Sequence, residues 1–168
     1  MTFHFKKGKH RASPLYWLRW WPVLLWPAVI QRKVQFDFST KYDFGDADQA
    51  DVNKLFGIQS GLNKKNRIRF GWRYDPGINK FILFSYINNS NGFSFEKICE
   101  CVANHSYLCV LENGLKAFYF TVYNEKLEKI GQAQADKKRK VSIAFLLGPF
   151  FGGNRPAPHD MTLKLSKK

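Results

Sequence analysis

The chain has 168 residues, 45% apolar and 17% aromatic, with 27 Lys plus Arg against 13 Asp plus Glu and a formal charge of +14. This length and apolar content exclude a disordered chain and suffice for one core, so a single domain over residues 1–168 is expected. The charge excess favours polyanionic partners, such as acidic polysaccharide or nucleic acid. Three cysteines, an odd number, suit a reducing compartment.

Residues 1–13 carry Lys6, Lys7, Lys9 and Arg11 with His4 and His10. They read as a basic arm or as a first edge strand protected by charge. The apolar stretch 15–30 contains Trp17, Trp20, Trp21 and Trp26, interrupted by Arg19, Pro22 and Pro27. It begins late and lacks a small-residue cleavage site, so it does not read as a secretory signal. It is also shorter than the roughly 20 residues a membrane helix needs. No transmembrane segment is expected, and a cytoplasmic location is the default. Two short extended segments fit the prolines, packed either as core or as an interface.

Residues 33–38 alternate, with Val34, Phe36 and Phe38 inward and Lys33, Gln35 and Asp37 outward, which predicts a strand. A local acidic patch follows at Asp43, Asp46, Asp48 and Asp51. Its first spacing is that of a calcium loop, but Ala50, Asp51 and Gly57 occupy the fifth, sixth and twelfth positions, so the EF-hand pattern fails. A different calcium site or a set of turn and cap carboxylates remains. Residues 51–57 read as a short helical turn ending at Gly57.

Residues 66–73 place Ile68, Phe70 and Trp72 on one face of a strand and Arg67, Arg69 and Arg73 on the other, with Gly71 between. A row of guanidiniums suits carboxylate or phosphate groups. The turn at Asp75-Pro76-Gly77 returns the chain through Ile82, Phe84 and Tyr86, and a hairpin would set Tyr86 beside the arginines. Beyond a turn at 88–92, Cys99, Cys101, His105 and Cys109 contain zinc-binding atoms at no familiar spacing. Reduced cysteines are more often small core residues, so no metal and no cofactor is assigned. Asn113-Gly114 marks a hairpin into the alternating run 117–123. The basic block 136–140 reads as a solvated loop rather than a localisation signal. Val141, Ile143, Phe145 and Leu147 then form a strand.

The end of the chain is the most specified segment. Residues 149–160 contain Gly152, Gly153, Asn154, Pro156 and Pro158, a loop needing unusual dihedrals at Gly152 and Gly153, with Asn154 a further candidate. Met161, Leu163 and Leu165 then alternate with Thr162 and Lys164 as a half-buried closing strand. Many strands with regular turns and little helix indicate an all-β antiparallel β-sandwich.

Three short motifs carry a resemblance: Arg69-Phe-Gly-Trp72-Arg73, Phe84-Ser-Tyr86, and Phe151-Gly-Gly-Asn154 continuing through Ala157-Pro158-His159-Asp160. Together they resemble the jelly-roll (concanavalin-like) polysaccharide lyases of uronic-acid polymers, and a group of small uncharacterised bacterial jelly-roll proteins. The lyase resemblance implies that Arg69 neutralises a substrate carboxylate and Tyr86 transfers the proton of a β-elimination. Phe84 departs from the motif, since the first tyrosine of Y-x-Y is replaced by a ring with no proton to move.

The expected function is therefore a carbohydrate-binding jelly-roll module for acidic polysaccharides. Its expected surface is Arg67, Arg69, Arg73 and Tyr86, with His159 brought near by the closing loop or bonded within it. A polysaccharide lyase on the same residues is one alternative. A nucleic-acid-binding or viral assembly protein is another, favoured by charge but lacking any recognised nucleic-acid motif. A glycosidase is disfavoured because the predicted strands offer almost no facing carboxylates. The pattern does not define an oligomeric state.

Overall fold

The computed structural model describes residues 1–12, 22–23, 29–61, 66–90, 92–137 and 144–167. The four tryptophans of residues 15–30 lie outside these, as do Val141, Ile143 and most of the basic block. The strands are β1 (Thr2–Phe5), β2 (Pro22–Val23), β3 (Val29–Phe36), β4 (Asn53–Ser60), β5 (Arg67–Asp75) and β6 (Lys80–Asn89). They continue with β7 (Gly92–Cys101), β8 (Ser106–Asn113), β9 (Ala117–Tyr123), β10 (Lys129–Asp136), β11 (Ala144–Leu147) and β12 (Met161–Ser166). Two short 3-10 turns, Phe38–Thr40 and Ala47–Ala50, join β3 to β4.

The strands form two six-stranded antiparallel sheets, ordered β1-β12-β3-β8-β9-β10 and β2-β11-β4-β5-β6-β7. The expected all-β sandwich is the observed fold. Period-two alternation explains the layering. Val34 and Phe36 of β3, Phe118, Phe120 and Val122 of β9, and Met161, Leu163 and Leu165 of β12 are buried from one sheet. Ile68, Phe70, Trp72 and Tyr74 of β5 meet them from the other. Phe36 stacks on Phe81 at 4.4 Å, and Trp72 packs against both rings. β1 is the edge strand allowed by the sequence, with Phe3 and Phe5 buried and polar residues between them. The closing strand β12 lies between β1 and β3.

Three local expectations are corrected, and one strand is new. Phe38 is 61% exposed, because Asp37 caps a 3-10 turn that ends the alternation of β3. Residues 51–57 are not helical but lead into β4. A bulge between Lys54 and Gly57 buries the consecutive Leu55 and Phe56 and hides the strand period. Gly57 is required there, since a Cβ would run into the Ile68 carbonyl and the Arg69 backbone. β10 has no counterpart in the sequence reading: it is a polar edge strand in which only Ala133 is buried. In the closing loop only Gly152 takes a positive φ, of 81°; Gly153 and Asn154 do not.

Candidate functional site

The outer face of β4 to β7 is a grid set by register. One row across the strands is Gln59, Arg67, Asn88 and Phe93. The next is Gly57, Arg69, Tyr86 and Phe95, and the third is Lys54, Gly71, Phe84 and Lys97. Arg73 and Ile82 follow, with Glu100 opposite Ile82. The hairpin therefore places Tyr86 directly across from Arg69, on the face opposite Phe70 and Trp72.

The three arginines are not equivalent. Arg69 is only 7% exposed, and its Nη2 donates to the carbonyl of Gly148 beyond the end of β11. In register Gly57 lies between Arg69 and Leu147, so the guanidinium crosses β4 at a glycine. Arg67 is half-buried and donates from Nε to Gln59 Oε1 at 3.2 Å. Arg73 donates to the Ala50 carbonyl at 3.3 Å and lies over the Phe84 ring at 5.3 Å.

Tyr86 is 9% exposed, and burial raises the pKa of its hydroxyl against the opposing pull of Arg69 and Arg67. One side of its environment is aromatic. Its ring stacks on Phe93 at 6.1 Å and 12°, and Phe93 is in turn parallel to Phe95 at 6.4 Å and 6°. Phe95 also meets Phe84 edge-on at 5.5 Å. Phe93 and Phe95 are 67% and 43% exposed, so this ladder of rings faces solvent along β7. Over the Tyr86 ring, at 4.9 Å, sits Lys54 Nζ, which also donates to the Gly152 carbonyl at 3.2 Å. Burial, with repulsion from Arg69 and a lesser one from Arg67 set against the pull of Asp51, lowers the Lys54 pKa to about 8.

Glu100, opposite Ile82 in this grid, is held by Lys80 and Lys97 at 2.7 Å each, which lowers its pKa to about 2. Among the described residues of the grid, cations thus outnumber carboxylates.

The remaining predicted residues fall elsewhere. His159 precedes β12 of the other sheet and hydrogen-bonds the Ser39 carbonyl at 2.8 Å, so the structure does not bring it to the arginine row. The loop that carries it does reach the row, but through Gly148 and Gly152. Asp46 and Asp48 both pair with Arg155 at 2.6 Å, and Asp51 accepts the backbone N–H of Asn154. That acidic patch clamps the closing loop. Cys99, Cys101 and Cys109 are buried free thiols in the core, while His105 is exposed near Glu125. Burial holds the Cys109 thiol well above its ordinary pKa. Among the described residues no group of three or more His, Cys, Asp or Glu could hold a metal ion.

Sequence reasoning missed Lys54, Phe93 and Phe95. The alternation of Phe93 and Phe95 along Gly92–Cys101 was the available signal for a shared face. Lys54 was hidden by the bulge that shifts the phase of β4.

No family model matches the chain, and no curated protein matches it in sequence. Solved structures match it in shape. An alginate lyase from Klebsiella pneumoniae superposes with a TM-score of 0.61 and 10% identity, covering 83% of this chain and 59% of that one. A functionally unknown protein from Saccharomyces cerevisiae gives 0.55 and 11%, covering 99% and 87% respectively. The enzymatically active domain of a bacteriophage CBA120 tailspike protein gives 0.50 and 9%, covering 88% and 23%. The chain thus spans well under two thirds of the alginate lyase and of the tailspike domain. These similarities are of fold, the jelly-roll sandwich that the sequence motifs implied.

Proposed function

We propose that the protein binds acidic, uronic-acid polysaccharides on the outer face of β4 to β7 and does not cleave them. The supporting observation is the juxtaposition of Lys54, Arg67 and Arg73 with the exposed rings of Phe93 and Phe95, which are backed by the buried Tyr86 ring. Uronate units present two chemistries that suit such a face, a carboxylate for cations and an apolar ring face for aromatic stacking. The same groups argue against β-elimination. Arg69, the carboxylate-neutralising position in the lyase resemblance, is buried and donates to Gly148. Tyr86 is held protonated by burial, and Phe84 offers no hydroxyl.

The test is retention of purified protein on immobilised uronic-acid polymers and on neutral glucans, with ultraviolet absorbance followed for unsaturated ends. Selective retention without absorbance is expected, with Phe93→Ala and Arg73→Gln each weakening it about tenfold. Absorbance that rises in the unchanged protein and stops in Tyr86→Phe would establish a lyase instead. Equal retention on any polyanion, including single-stranded nucleic acid, with a steep loss in salt would favour the nucleic-acid reading.

A further inference from the structure

We propose that Lys54 is the carboxylate-binding group of this face and that it releases an acidic glycan when it loses its proton. The inference rests on the glycan reading and assigns the group that discriminates charged from neutral sugars. The other cations of the grid each have a partner of their own, Lys97 in the Glu100 carboxylate, and none of them stands over the Tyr86 ring as Lys54 does. Arg69 is buried against Gly148, Arg67 is held by Gln59, and Arg73 is fixed between the Ala50 carbonyl and the Phe84 ring. Lys54 has three N–H donors, and the Gly152 carbonyl at 3.2 Å takes one. It stands over the buried Tyr86 ring, against which the exposed Phe93 packs, so a sugar stacked on Phe93 would bring its carboxylate toward the ammonium.

The charges around Lys54 are known from each side. Arg69 and, less so, Arg67 of β5 oppose its protonation, and Asp51 before β4 favours it. Tyr86 of β6 stays neutral because its own pKa is raised. The loop 148–154 and β11 present no titratable side chain. With burial dominating, the ammonium is poised near pH 8, where solvent alone would leave it fully charged. A bound carboxylate offsets the two guanidiniums and pulls the proton back on. Binding therefore takes up a proton above this pH, and affinity falls toward about tenfold per pH unit.

Affinity for alginate and for polygalacturonate would be measured from pH 6.5 to 9.5 at fixed ionic strength, alongside Lys54→Arg and Lys54→Met. The unchanged protein should bind evenly to about pH 7.5 and lose affinity toward tenfold per unit above 8. Lys54→Arg should bind with a flat profile, and Lys54→Met should be at least about tenfold weaker at pH 7 and also flat. Nuclear magnetic resonance of the lysine Cε groups, assigned by loss of one signal in Lys54→Arg, supplies a second readout. That signal should titrate near pH 8 and shift upward in midpoint with polymer bound. If the polymers bind but the profile is flat, or Lys54→Met keeps the same profile, the role of Lys54 is overturned while the glycan reading stands. If no uronic polymer binds at any pH, both fall.

Discussion

An ammonium resting on a tyrosine ring, with two guanidiniums on the adjoining strand, is costly to keep charged. For Lys54 the drop from 10.5 to about 8 sets an upper bound of about 3 kcal/mol on that cost. Because the folded pKa is depressed, the unfolded chain binds more protons between about 8 and 10.5, and folding stability rises with pH through that window. Below pH 8 the penalty is present in full. Lys54→Met should accordingly stabilise the protein at pH 7 by about 1–3 kcal/mol in urea unfolding, and the gain should shrink to near zero above pH 10. A gain that persists at high pH would mean better packing rather than relief of charge. A residue that weakens the fold yet stands beside the exposed Phe93, across the buried Tyr86 ring, fits a binding role. The pairing of Arg69 with Tyr86 was legible in the sequence, because strand period and a turn at Pro76-Gly77 define it. The burial of Arg69 was not, since it depends on Gly57 and on a carbonyl at position 148, far away in sequence.

The closing loop illustrates how one element organises several others. Phe150 exchanges backbone hydrogen bonds with Lys54, and Phe151 bonds His10 and packs its ring against Phe5, Tyr42 and Trp72. Beneath it lies Asn53, 1% exposed, which accepts from the Gly152 N–H and donates to the Tyr42 hydroxyl at 2.8 Å. Outside it the Arg155 pairs with Asp46 and Asp48 are half open to water. Physical chemistry ranks these unequally. Asn53→Ala strands two buried polar groups and should lower stability by about 2–3 kcal/mol, whereas Arg155→Ala should cost about 1 kcal/mol or less. Denaturant melts of both variants decide this, and a larger loss from Arg155→Ala would show that exposed charge holds the loop. Glycine, proline and an alternating tail made the loop and β12 readable from sequence. The polar edge strand β10 and the bulged β4 were not, because neither keeps a simple hydrophobic period.

At the scale of the whole molecule, two six-stranded sheets bury one aromatic core and leave a cationic, ring-bearing face on one of them. The formal charge of +14 acts on every polyanion, so attraction alone carries no specificity. Specificity has to come from the grid. Binding to uronic polymers should therefore weaken with salt but keep its preference over neutral glucans, and Phe93→Ala should remove affinity without changing the salt slope. The shared jelly-roll shape leaves the choice between binding and cleavage to the residues on that face. The decisive measurement is the retention experiment on immobilised uronic-acid polymers, with absorbance at the wavelength of unsaturated uronates recorded on the same sample. Selective retention with no rise in absorbance is the expected result. Passage of the protein through every uronic column at low salt and pH 7 would contradict the glycan-binding face.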